Sequence, residues 1–125
     1  MPNPESTTHG VVFDLPAAER ELRAQPAYLR DGYAARTLVR EPDLRLVLMV
    51  MAAGRQIPAH QADDTVSIHA LSGSLRVTAG GNVFDLTPGQ IVALEGGLRH
   101  EVDAPSDAAF LLTLAWGRET RTPTT

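Results

Sequence analysis

From Tyr33 onward the chain alternates apolar and polar residues with a period near two, the mark of strands rather than helices. The runs YAARTLVRE, LRLVLMVMA, TVSIHALS, SLRVTA, VFDL, QIVALE, RHEVDA and AAFLLTLAW each read as one strand. Between them stand turn signals: Pro42-Asp43, Gly80-Gly81-Asn82, Pro88-Gly89 and Gly96-Gly97. A turn every eight to twelve residues, roughly, is the rhythm of an all-β sandwich or barrel. The second run is apolar on both sides. Leu46, Leu48 and Val50 share one face, and Val47, Met49 and Met51 share the other, so this strand should be covered twice.

The first third follows another pattern. VVFDL (11–15) reads as a short strand, and Asp14 is placed to cap a helix with Pro16 in its first turn. AAERELRAQ carries that helix, which should end before Pro26. No other segment has a helical period. Residues 1–10 and 117–125 are polar and read as loose tails. The expectation is one domain over residues 1–125, an all-β barrel with one short N-terminal helix.

Composition narrows the function. The chain has 125 residues, 43% of them hydrophobic, enough for one real core. Its formal net charge is -4, with no basic tract, which argues against nucleic acid and anionic membranes as partners. No apolar run approaches the roughly 20 residues of a spanning helix. The N-terminus lacks the charged and apolar regions of a secretory signal, and there is no cysteine; both suit the cytoplasm. All eleven basic residues are arginines. Without lysine there is no Schiff base and no P-loop lysine. A serine elbow and a glycine-rich nucleotide loop are absent as well. Trp116, at the end of the last strand, should pack in the core or an interface.

The chemistry is concentrated between Gly54 and His100. Gly54 is followed by five residues and then His60, and Gly73 stands further on. Gly89 is followed by five residues, Glu95, one residue, Gly97, two residues and His100. These two spacings resemble the paired motifs of the cupin family, small barrels of the double-stranded β-helix (jelly-roll) type. The resemblance covers about residues 34–116. It implies that His60 and His100 lie on neighbouring strands and face one cavity, and that the protein pairs into a homodimer through N-terminal strands. The apolar outward face of LRLVLMVM points to the same dimer.

The chain departs from the family where the metal should be. The family holds it with three histidines and a glutamate, but the second histidine position is Ala62 and the glutamate position is Val66. Two imidazoles alone bind a divalent metal (Zn, Ni, Fe, Mn or Cu) weakly. An extra ligand could come from Asp63 or Asp64, which otherwise read as solvated turn acids, or from His69. Strand parity opposes His69: if Val66 points inward, so does Ile68, while His69 points out unless a bulge intervenes. His9 reads as an exposed tail residue.

The expected pocket is therefore His60 and His100 with an apolar lining from Leu48 or Met49, Val66, Ile68 and Val102. Its function is to bind a small, mostly apolar organic molecule. The alternative is a metal-dependent dioxygenase, isomerase or lyase using His60, His100 and a non-standard third ligand. No catalytic residue is assigned.

Overall fold

The computed structural model describes residues 10–61 and 63–115, and of Ala59, His60 and Gln61 the backbone alone. The expectations for His9, Ala62 and Trp116 lie outside the described residues.

Among the described residues two helices precede the strands, α1 at Leu15–Arg23 and α2 at Pro26–Asp31. Asp14 caps α1 as expected, its carboxylate accepting a hydrogen bond from the Ala17 amide at 3.0 Å. The cap draws Leu15 and Pro16 into the first turn, so the strand expected at 11–15 does not form. The short helix expected before Pro26 forms, and a second one, which the sequence did not announce, follows it. Pro26 stops α1, but its fixed φ equally suits the first turn of a helix, and α2 starts there. Gly32, in the left-handed conformation, ends α2 and turns the chain into the first strand.

Among the described residues nine strands follow: β1 Tyr33–Glu41, β2 Leu44–Met51, β3 Gln56–Gln61, β4 Val66–Ser72, β5 Leu75–Ala79, β6 Asn82–Leu86, β7 Ile91–Leu94, β8 Arg99–Asp103 and β9 Ala108–Ala115. They form a five-stranded sheet in the order β1-β2-β9-β4-β7 and a four-stranded sheet in the order β3-β8-β5-β6. Every pairing between described residues is antiparallel. One apolar core joins the two sheets. Val66, Ile68, Ala70 and Phe110 come from the first, and Leu75, Val77, Ala79 and Val102 from the second. This is the jelly-roll barrel that the turn rhythm and the spacings anticipate.

A second apolar layer lies outside the five-stranded sheet. Ala18 and Leu22 of α1 pack with Leu48 and Val50 of β2 and Ala109 of β9. Leu48 and Val50 are fully buried there. The outward face that suggested a partner subunit is thus covered, at these two residues, by the chain's own helix. Arg23 pins the helix down. It donates to Glu19 at 3.2 Å, to the Tyr28 hydroxyl at 2.8 Å and to the Ala108 carbonyl at 3.0 Å. The Ser72 hydroxyl donates to Glu19 at 2.8 Å, which ties the same ion pair to β4.

Candidate functional site: the barrel mouth

Register identifies one end of the barrel as a mouth. Leu44 at the start of β2 pairs with Ala115 at the end of β9, and Val66 at the start of β4 pairs with both Leu114 and Leu94. In the other sheet Gln61, ending β3, pairs with Arg99, which opens β8. The β1–β2 turn, the β3–β4 connection, the β7–β8 connection and the Gly80-Gly81 turn therefore gather at this end. The backbone at Asp63 lies so close to Gly96 that a Cβ on Gly96 would collide with the Asp63 carbonyl. Glycine at 96 thus lets two mouth connections pack against each other.

His60 and His100 are direct cross-strand partners in the β3–β8 ladder, after a shift in register between Ile57 and His60. His100 is 3% exposed, the one buried polar residue among those described, and it is engaged within the fold. Its partner on the other side is Ala79, itself buried in the core. Val102 shares the face of His100 and pairs with Val77. Val66 and Ile68 are buried in the same core, at 2% and 1% exposure.

Leu48 and Met49 go to opposite sides, as neighbours in a strand must. Met49 packs against the inter-sheet core, whereas Leu48 belongs to the layer under α1 and is no part of the barrel interior. His69 stands on the outer face of β4, between Ile91 and Leu111 in register. The register shift in β4 falls after Ala70, too late to turn His69 inward. Asp63 is exposed and Asp64 half-buried, both in the bend that leads into β4. Arg99 is exposed and Glu101 half-buried, alternating away from His100.

The donor set does not fit the family's metal. The glutamate position is a buried hydrocarbon, and His69 is on the wrong face. Among the described residues no three His, Asp or Glu side chains converge on one point.

One mouth residue escaped the sequence reading. The β2–β9 register runs unbroken from Leu44 to Met51, so Arg45 and Val47 share the inward face of Met49 and Met51. Arg45 is half-buried, with its Nε fully buried, and it has a partner within the fold. Parity had already grouped Val47 with Met49; carrying it two residues back would have found Arg45.

An open hollow of about 460 Å³ also lies at the mouth, lined by Thr78, Gly80, Leu98, Arg99, His100 and Glu101 among others. Thr78 and Glu101 pair with each other and alternate with the inward Ala79 and His100, so this hollow is on the barrel's outer side. The carboxyls with displaced titration lie elsewhere. Hydrogen bonds from Arg30 and Arg76 hold Asp31 and Asp85 below the usual carboxylate range, both on the exposed surface.

The comparisons agree with this architecture. A conserved protein of unknown function from Streptococcus pyogenes superposes with a TM-score of 0.71 at 24% identity, over 86% of this chain and 89% of that one. An RmlC-like cupin from Shewanella frigidimarina gives 0.65 at 19%, over 71% and 80%. Salicylate 1,2-dioxygenase from Pseudoaminobacter salicylatoxidans, with gentisate, gives 0.67 at 17%, over 81% of this chain but 30% of that longer one. At such identities these likenesses speak for the fold alone. No curated protein matches the chain significantly. The model of the Cupin domain family matches residues 47–116, most of the barrel and both histidine motifs, and the chain belongs to that family.

Proposed function

We propose that this cupin binds a small, mostly apolar organic molecule between His60 and His100, inside the mouth of the barrel. The observation that carries the reading is the direct register of the two histidines on β3 and β8, beside a family ligand position filled by buried Val66. Direct partners in an antiparallel ladder lie roughly 4.5–5.5 Å apart at Cβ. Two imidazoles at that spacing suit one hydrogen-bonding group of a ligand, and Val66, Ile68, Val102 and Met49 suit its hydrocarbon. Metal analysis of protein prepared without a histidine tag tests this. The expected content is far below stoichiometric. A full equivalent of Fe, Mn, Ni, Cu or Zn, lost in His100→Ala, would replace the reading with the metal-dependent enzyme.

The assembly is proposed to be a homodimer. β1 is the edge of the five-stranded sheet, and Tyr33 on it is 41% exposed. A free strand edge of this length invites pairing with a second copy. Sedimentation equilibrium at micromolar concentration should give twice the 13.4 kDa chain mass, and a clean monomer would remove the dimer.

A further inference from the structure

Arg45 does not stand alone at the mouth. It pairs in direct register with Arg40 on β1, next to a bulge between Thr37 and Val39. The bulge decides which side Arg40 takes. Thr37 opposes Val47 and Val39 opposes Leu46, so one residue of β1 is extra. Without it Val39 would oppose Arg45, and Arg40 would fall on the outer face with Leu38. With it, Arg40 takes the same face of the sheet as Arg45. Bulges re-aim side chains in this way, and they are frequent beside binding sites.

Two like charges directly opposed across a ladder destabilise it. Burying part of a guanidinium costs more again. The ion pairs among the described residues are Arg23–Glu19, Arg30–Asp31, Arg36–Glu21 and Arg76–Asp85, and Arg40 is in none of them. Along the same inward row, Arg45 is followed by Leu114, Val66 and Leu94. A cationic edge thus adjoins the apolar core through half-buried Leu114, at the end of the barrel where His60 and His100 pair.

We infer that Arg45, with Arg40 beside it, receives the carboxylate of an apolar monocarboxylic acid whose hydrocarbon lies against half-buried Leu114. This rests on the proposed pocket and names its ligand class. A guanidinium presents a planar fork of donors that matches a carboxylate, which an imidazole does not. Arg45 already has a partner in the fold, so the carboxylate adds to that contact or displaces it.

Hexanoate and hexanamide, equal in chain length and different in charge, are the probes. Binding is followed by the methyl NMR signals of Val66, Ile68 and Leu114. The wild type should bind hexanoate roughly tenfold more tightly than hexanamide, the scale of a charge-assisted contact. In Arg45→Gln the preference should fall to within about twofold, with hexanamide affinity kept; Arg45→Lys should retain part of it. Should Arg45→Gln fail to fold, the wild-type ratio and the lysine variant still decide. Equal affinity for the two probes, with the methyl signals moving, overturns the carboxylate assignment and leaves the pocket. A preference that persists in Arg45→Gln removes Arg45 from the role. No methyl shift with either probe overturns the pocket, and this inference with it.

Discussion

Replacing Ala62 by histidine and Val66 by glutamate should make the stability of this barrel depend on metal. Val66 is 2% exposed in the inter-sheet core. A carboxylate there without a counter-charge should cost roughly 3–5 kcal/mol. The double variant without metal should therefore be much less stable than the wild type, or unfolded. With His60 and His100 it would complete three imidazoles and one carboxylate, and a divalent ion could then offset the buried charge. Zinc at about a hundred times its dissociation constant would return about 2.7 kcal/mol. Thermal melts with and without zinc give the measurement. The wild type, with two imidazoles, should shift little and the double variant a great deal. Equal shifts in both would mean that the side chains at 62 and 66 do not govern metal binding by this barrel.

Phe110→Ala should be the most damaging single truncation in the core. Phe110 is 2% exposed on β9, paired with Met49 on one side and Ala70 on the other. It is also the largest of the fully buried side chains. Removing a buried phenyl ring costs about 3–5 kcal/mol, counting the cavity left behind. Against a typical total of roughly 5–15 kcal/mol, that consumes a large share of the stability. Urea unfolding should show the midpoint falling steeply. Ile91→Ala is the contrast, because Ile91 is 59% exposed at the start of β7. Its effect should stay within about 0.5 kcal/mol. Similar losses at the two positions would mean that the inter-sheet core is not the source of stability.

These predictions rest on burial that the alternation of residues largely foretold. The runs from Tyr33 to Ala115 became strands because β-branched and aliphatic residues at a period of two can bury one face only when extended. The turns fell where glycine, proline and aspartate stand, since those residues accept the required backbone angles. The spacing of His60 and His100 identified the family, and with it the pairing of β3 with β8.

Other features were decided by the tertiary structure. LRLVLMVM is apolar on both faces, so parity could separate Leu48 from Met49 but could not say which faced the barrel. The packing of α1 on Leu48 and Val50 settled it, and turned Arg45 inward by the same act. Pro26 carried both a stop and a start, and α2 formed in contact with β1. The bulge at Thr37/Val39 has no glycine or proline to announce it. One extra residue there rotates Arg40 to the inward face. Alternation is a local property written in side-chain type; which face is inside, and where a strand slips by one, depends on what packs across it.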